Sequence, residues 1–191
     1  MKLLRFIKNG THNFVHRLKV QGWRTTWIWL LGHGPSKLTG IPIIRYSQVT
    51  PQIYIGAQFY QRGKQKLELL GVNSSVNMRS EFNDAAHDLA LEYYCYLPTE
   101  DSQAPTIRQL ETGVKFIHQV VQQGGKVYIH CRSGVGRAPT MGAAYFISQG
   151  HNLTEALTLI QKPRPFIQIT SAQLEQLKRF EENQRTSCSV L

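Results

Sequence analysis

Short apolar runs alternate with longer amphipathic segments along the chain from Ile41 onward. Four of the short runs are rich in β-branched and aromatic residues, which favour strands. The predicted strands span residues 52–56, 72–78, 91–98 and 126–130. The segments between and after them carry apolar residues at every third or fourth position, which predicts amphipathic helices.

The predicted helices have recognisable ends. Glycine residues at positions 71, 124 and 150 follow three of them, as is typical of helix C-termini. Three predicted helices begin with a capping box. In this motif, a polar side chain and a second one three positions later each accept a hydrogen bond from the other residue's backbone N–H group. The capping pairs are Thr106 with Gln109, Asn152 with Glu155, and Thr170 with Gln173.

Strands that alternate with helices predict an α/β fold with a central, mainly parallel sheet flanked by helices. We assign residues 41–184 to this domain, residues 1–40 to a basic, Trp-rich helical extension and residues 185–191 to a C-terminal tail. Ligands of parallel sheets bind at the carboxyl ends of the strands. Functional residues are therefore expected in the loops that follow strands.

The net charge of +10 is concentrated near the N-terminus, because residues 1–67 contain eleven Lys and Arg residues and no Asp or Glu. Within residues 1–34, basic residues and all three tryptophans alternate with apolar residues at helical spacing. This pattern is typical of a helix lying on an anionic membrane surface. A helix packed on the domain is the main alternative, and a mitochondrial transit peptide fits less well because serine is scarce.

Three cysteines are too few for a disulfide framework, so a cytoplasmic setting is expected, with peripheral membrane contact as a further option. Cys95 lies on a predicted strand, where a buried thiol is favoured over a redox partner of Cys131. Cys188 begins the terminal segment "CSVL", which matches a prenylation box that applies only in a eukaryotic host.

One segment combines a nucleophile, two glycines and two arginines between a predicted strand and a predicted helix: His130-Cys131-Arg132-Ser133-Gly134-Val135-Gly136-Arg137. A loop that curls at a helix N-terminus directs N–H groups inward and binds a dianion, and Gly134 and Gly136 allow the positive φ values and close approach that this curl requires. The same field stabilises a Cys131 thiolate, and the planar fork of Arg137 matches two phosphoryl oxygens. The segment predicts phosphoryl transfer through cysteine, with no metal or cofactor.

The departing oxygen needs a proton, which a carboxylic acid on a facing loop can give. Asp101 follows a predicted strand end and is expected to face the Cys131 loop. Glu100 is its nearest competitor, whereas Asp84 and Asp88 lie in a polar stretch with no comparable placement.

The pattern HCxxGxxR resembles the active-site loop of cysteine-based protein tyrosine phosphatases, and the small size of the chain resembles their dual-specificity branch. The resemblance covers roughly residues 45–182 and includes the segments "VTPQIYIGAQ", "LPTEDSQAPT" and "RPFIQITSAQLEQL". It implies that Cys131 is the nucleophile, Arg137 binds the phosphoryl group, Asp101 is the general acid and His130 supports the thiolate. The implied substrates are phosphotyrosine, phosphoserine and phosphothreonine in proteins.

Ala138 departs from the family pattern, in which Ser or Thr usually follows the loop arginine and assists breakdown of the phosphocysteine. The resemblance therefore implies slower hydrolysis of that intermediate. Plant glucan phosphatases are similar here, with Gly-Arg-Ala-Pro in active enzymes, so Ala138 does not indicate an inactive protein. A polyglucan substrate stays open, although no segment resembles a carbohydrate-binding module.

A phospholipid at a membrane surface, either phosphatidylglycerophosphate or a phosphoinositide, is the alternative substrate. Arg132 adds charge as in lipid phosphatases, and "LPTED" and "ITSAQLEQL" are similar to segments of the mitochondrial phosphatidylglycerophosphate phosphatase. A solvent-facing Arg132 is an equally good interpretation.

Three further functions fit less well. A phospho-binding pseudophosphatase would lack the Cys, Arg or acid that this chain has. A rhodanese-like sulfurtransferase would place the loop arginine one residue closer to the cysteine. A basic lipid- or nucleic-acid-binding module would leave the cysteine loop unexplained, so no nucleic-acid partner is expected.

Overall fold

The computed structural model of the chain describes residues 46–188, with side chains through residue 186. Its strands are β1 (Tyr46–Gln48), β2 (Ile53–Ala57), β3 (Ser74–Arg79), β4 (Tyr93–Thr99) and β5 (Val127–Cys131). Its α-helices are α1 (Gln61–Leu69), α2 (Ile107–Gln122), α3 (Arg137–Ser148), α4 (Leu153–Gln161) and α5 (Ser171–Cys188). A short 3₁₀ helix, Asp84–His87, lies between β3 and β4. The predicted N-terminal helical extension falls outside the described residues.

The strands form one sheet in the order β1-β2-β5-β3-β4. Strands β2, β5, β3 and β4 run parallel to one another, whereas the edge strand β1 is antiparallel to β2. The predicted α/β class with a mainly parallel sheet is therefore confirmed. Strand β1 was not predicted, because three residues are too few to show an alternating pattern.

Helices cover both faces of the sheet. On one face, Ile53 and Ile55 of β2 belong to the main apolar core, to which α2, α3, α4 and α5 contribute. On the other face, Tyr54 and Tyr128 pack in a smaller cluster with Leu67 of α1. Helix α3 lies innermost, because every residue from Arg137 to Ile147 is buried. Its N-terminus is thus held rigidly at the end of β5.

The capping pairs form as the sequence predicts, with reciprocal bonds for Thr106 with Gln109, Asn152 with Glu155, and Thr170 with Gln173. Helix α5 continues through Cys188, so residues 185–188 extend the last helix rather than forming a separate tail. Within residues 46–188, no helix is both long and apolar enough to cross a membrane.

Candidate active site

The carboxyl ends of the four parallel strands bring together residues that are far apart in sequence. Cys131 ends β5, and Gln58 directly follows β2. Glu81 follows β3 by two residues and Asp101 follows β4 by two residues. Parallel strands place such positions at one edge of a sheet, which is where the sequence predicts the site.

The phosphate loop, residues 131–137, turns its carbonyl groups outward. The carbonyl oxygens of residues 132–136 each accept a hydrogen bond at 2.6–3.3 Å, from the N–H groups of Gln58, Arg164, Gln168 and Thr140. The C=O and N–H groups of a trans peptide point in opposite directions, so the N–H groups of residues 133–137 face the inside of the loop. Such a set of converging N–H groups favours an anion.

Different structural constraints favour glycine at positions 134 and 136 of the phosphate loop. Gly134 has a φ of 68°, and a Cβ atom there would overlap the backbone carbonyl of Gly56. Gly136 has a φ of −122°, so the positive φ expected for it is wrong. A Cβ on Gly136 would instead lie 3.1 Å from Oε1 of Gln173, which makes close approach the constraint at that position.

The Cys131 sulfur lies at the base of this loop and is almost completely buried. The N–H of Gly134 donates to Sγ at 3.2 Å. Helix α3 begins six residues further on, at Arg137, and the positive end of its dipole faces the loop. A thiolate is stabilised in such surroundings.

The guanidinium of Arg137 is 1% exposed and contacts five oxygen atoms, of which the carbonyl oxygen of Met78, 3.5 Å from Nη1, is the most distant. Nη1 donates to the carbonyl of Thr99 and to Oε2 of Glu81, both at 2.8 Å. Nη2 donates to Oε1 of Glu81 at 3.0 Å and lies 2.9 Å from Oδ1 of Asp101. The buried Nε has no hydrogen-bond partner among the described residues. A phosphoryl oxygen would satisfy this donor.

Glu81 is a site residue that sequence reasoning missed. Burial would raise the pKa of its carboxyl, but hydrogen bonds from Arg137 and Arg79 and from its own backbone N–H lower that pKa to about 2. Burial would likewise lower the pKa of Arg137, whereas its hydrogen bond with Glu81 raises that pKa above the usual value. Glu81 therefore fixes the charge and the direction of the arginine.

Asp101 lies in the acid loop, residues 100–106, with 64% of its side chain exposed. Its ion pair with Arg137 places it at the phosphate loop, as the sequence predicts. Glu100 is exposed and has no ion pair among the described residues. The geometry thus favours Asp101 over Glu100 for the acid, and that role stays a prediction.

His130 contacts Asp84, an aspartate for which no role was predicted. Its Nε2 lies 2.8 Å from Oδ2 of Asp84, and both side chains are completely buried. Neither atom has another partner among the described residues, so this contact alone offsets the burial of that carboxylate oxygen. Gln58 donates to Oδ1 of Asp84 at 2.8 Å and accepts from Arg79 at 2.9 Å. Arg79 also pairs with Glu81, which binds Arg137. A chain of polar side chains therefore links His130 to Arg137.

Arg164 is a second buried arginine that the sequence reasoning did not identify. Its Nε donates to the carbonyl of Gly134 at 2.6 Å, and its Nη2 donates to the carbonyl of Ser133 at 3.1 Å. Nη1 lies 3.4 Å from Oγ of Ser47 and from the carbonyl of Ile55. Arg164 therefore holds the phosphate loop from behind.

Arg132, which was considered for substrate choice, and Ala138, which was considered for the rate of turnover, lie in different environments. The Arg132 side chain is exposed and forms no hydrogen bond or ion pair within residues 46–186, so it points to solvent at the rim of the loop. Ala138 is completely buried at the start of α3 and offers no hydroxyl to the loop.

The structure separates Cys95 from Cys131. Cys95 pairs with Val76 of β3, and Val76 pairs with Ile129 of β5, so two strand spacings separate Cys95 from the strand of the nucleophile. Two spacings are about 9.5 Å, whereas a disulfide needs Cα atoms within about 7 Å. Burial raises the pKa of the Cys95 thiol to about 11. Cys95 is therefore not placed to form a disulfide with Cys131.

Comparison with known proteins identifies the family. The sequence model described as dual specificity phosphatase, catalytic domain, matches residues 53–183, more than half of the chain. The chain belongs to the dual specificity phosphatase family. The family resemblance inferred from HCxxGxxR is therefore confirmed.

Several phosphatases of this family are similar in sequence. Dual specificity protein phosphatase 1-A of Xenopus laevis is 28% identical over 146 residues, which are 75% of this chain and 39% of that protein. Dual specificity protein phosphatase 1 of Homo sapiens is 26% identical over 136 residues, which are 70% of this chain and 36% of that protein. The chain thus spans about two fifths of the length of these curated relatives.

Solved structures of phosphatases are similar along nearly their whole length. PTPMT1 in complex with PI(5)P has a TM-score of 0.70 and 27% identity over 75% of this chain and 98% of that chain. Tk-PTP in the active form has a TM-score of 0.65 and 26% identity over 72% of this chain and 96% of that chain. The fold of the dual specificity phosphatase domain is thus shared from end to end.

Proposed function

We propose that this dual specificity phosphatase domain hydrolyses phosphomonoesters through a phosphocysteine intermediate on Cys131. The observation that carries the proposal is the phosphate loop, whose N–H groups converge beside a buried sulfur. The unpartnered Nε of Arg137 adds a charged donor to the same site. Phosphoryl transfer depends mainly on positioning and on stabilisation of charge, and these groups supply both.

The reaction has two steps in which this chain's residues supply every group except water. The Cys131 thiolate attacks phosphorus and the bond from phosphorus to the leaving oxygen breaks, while Asp101 gives that oxygen its proton. Water then attacks the phosphocysteine and passes a proton to the Asp101 carboxylate. The sulfur–phosphorus bond breaks, which releases inorganic phosphate and restores the thiolate.

The test is release of phenol from an aryl phosphate in the presence of a chelator. We expect turnover by the wild-type chain and none by Cys131→Ser, because the serine hydroxyl is not ionised near neutral pH. Arg137→Lys is expected to lose at least about a hundredfold in kcat/KM, since lysine cannot form the planar fork. Activity retained by Cys131→Ser would refute the mechanism.

Phosphorylated protein is the leading substrate class, as it is for the dual specificity phosphatases that are similar in sequence. Phospholipid is the second candidate. It is supported by PTPMT1, which binds PI(5)P, by the concentration of basic residues in positions 1–67, and by the exposed Arg132 at the rim of the loop.

A phosphate-release panel separates the two classes. It compares phosphotyrosine and phosphothreonine peptides, phosphoinositide and phosphatidylglycerophosphate in anionic vesicles, and phosphoglucan, with Cys131→Ser as the blank. A preference for lipid that falls on Arg132→Ala and on deletion of residues 1–34 would support the lipid reaction. Equal lipid turnover by the wild type and both variants would refute the contribution of these basic residues.

A further inference from the structure

The first turn of α5 lies directly against the phosphate loop. Gln173 is 1% exposed, and its Oε1 accepts a hydrogen bond from the N–H of Thr170 at 3.1 Å. Its amide group faces Gly136, where a Cβ would lie 3.1 Å from Oε1. Just before the helix, the N–H of Gln168 donates to the carbonyl of Val135 at 2.6 Å. The segment that leads into α5 is thus hydrogen-bonded to the phosphate loop at Val135, and Gln173 packs against the loop at Gly136.

The same turn also contacts the acid loop. Nε2 of Gln173 donates to the carbonyl of Gln103 at 2.9 Å, and Oγ1 of Thr170 donates to the carbonyl of Ser102 at 3.2 Å. Ser102 directly follows Asp101 and has a φ of 66°, a left-handed conformation that serine keeps only where its surroundings fix it. Thr170 and Gln173 therefore constrain the backbone that carries Asp101.

This constraint matters because the Asp101 side chain has little to hold it during the reaction. It is mostly exposed, and its ion pair within the described residues is with Arg137. A bound phosphoryl group takes up donors of Arg137, so the carboxyl then depends on its backbone for its position over the leaving oxygen. An acid displaced by about 1 Å loses much of its effect on rate.

We propose that Thr170 and Gln173 are positioning residues, which hold the acid loop against the phosphate loop so that Asp101 reaches the leaving oxygen. The proposal rests on the proposed role of Asp101 as the general acid. It makes the N-terminus of α5 a bridge between the group that binds phosphate and the group that donates the proton.

The experiment measures kcat/KM for aryl phosphates whose leaving groups range from dinitrophenol, which departs without a proton, to phenol, which needs one. The variants are Thr170→Val, which removes the hydroxyl at nearly constant volume, and Gln173→Ala. We expect a loss of about tenfold with phenyl phosphate and of less than about twofold with dinitrophenyl phosphate, a partial form of the Asp101→Ala profile. Inhibition by inorganic phosphate should stay within about twofold, because Arg137 is untouched.

Gln52→Ala is the matched control, because Nε2 of Gln52 donates to the carbonyls of Val121 and Gly125 at the opposite end of the sheet. Gln52→Ala should lower kcat/KM by the same factor for both substrates or leave both values unchanged. Thr170 is only half-buried, so Thr170→Val keeps the test valid if Gln173→Ala does not fold.

Three results would overturn the proposal. Equal losses with both substrates, or no loss in either variant, beside a steep profile for Asp101→Ala would refute the positioning role alone. A flat profile for Asp101→Ala would refute the acid assignment and the positioning role with it.

Discussion

Replacing Glu81 with glutamine tests how the phosphate-binding arginine is held. The substitution keeps the size of the side chain and removes the charge that faces both nitrogens of the Arg137 fork at 2.8 and 3.0 Å. The pKa of Glu81 falls from 4.5 to about 2 in the folded protein. Each unit of such a difference corresponds to about 1.4 kcal/mol, which gives an upper bound of about 3.5 kcal/mol for 2.5 units. Because 35% of the side chain is exposed, solvent screening reduces this to about 1.5 kcal/mol.

The pH dependence follows from the direction of the shift. A carboxyl whose pKa is lower in the folded state stabilises the protein above the unfolded pKa of about 4.5, and that contribution is lost as pH falls toward 2. We therefore expect Glu81→Gln to be less stable than the wild type by about 1.5 kcal/mol at pH 7, and the two curves to converge near pH 2. Urea unfolding at a series of pH values measures the difference. At pH 7, kcat/KM for an aryl phosphate should fall about tenfold, because a neutral amide directs the Arg137 fork less firmly toward the phosphoryl oxygens in the transition state.

Glu111→Gln is the control for the same change of charge at an exposed position on α2. Its stability should run parallel to that of the wild type at every pH. A constant difference between Glu81→Gln and the wild type from pH 7 to pH 2 would refute the electrostatic reasoning. An unchanged kcat/KM would show that Thr99, Met78 and Asp101 hold the arginine without the charge of Glu81.

Three further substitutions test how the loop and its neighbours are supported. Gly134→Ala should lower the free energy of unfolding, measured in urea, by more than about 2 kcal/mol, because the new Cβ overlaps the Gly56 carbonyl and the residue has a positive φ. At Gly124 a Cβ meets no atom within 4 Å, so the control Gly124→Ala should cost only about 1 kcal/mol. Arg164→Lys should weaken inhibition by inorganic phosphate about tenfold, because an ammonium group cannot hold two loop carbonyls in one plane. Asp84→Leu should destabilise the domain by about 3 kcal/mol, since His130 loses its partner, whereas Glu92→Leu at an exposed position should stay within about 0.5 kcal/mol.

The sequence predicted the elements whose signals are local. Capping pairs such as Thr106 with Gln109 involve residues three positions apart, and the structure forms them as read. The contiguous motif from His130 to Arg137 is equally local, because it lies between a predicted strand and a predicted helix, although distant residues such as Arg164 hold its carbonyls. The position of Asp101 was also predicted, because the carboxyl ends of parallel strands lie at one edge of the sheet. This rule places Asp101 near the Cys131 loop without knowledge of the contact itself.

The supporting residues had no local signal. Glu81 is one acid in a polar stretch, and only the parallel pairing of β3 with β5 carries it to Arg137. Asp84 was given no role, since nothing near it in sequence indicates that a 3₁₀ turn buries it against His130. These contacts form only when the chain folds. Neither hydrophobic periodicity nor motif spacing therefore predicts them.

The charge that favours an anion at this site does not come from the motif arginine alone. Arg137 is paired with two carboxylates, those of Glu81 and Asp101, which offset part of its charge at the loop. Arg164 contacts carbonyls and has no carboxylate partner among the described residues. Burial lowers the pKa of Arg164, whereas the nearby Tyr128 and Cys131 act in the opposite direction. Arg164, thirty-three positions beyond the nucleophile, thus supplies the uncompensated positive charge behind the loop, while Arg137 supplies the directed donors at its mouth.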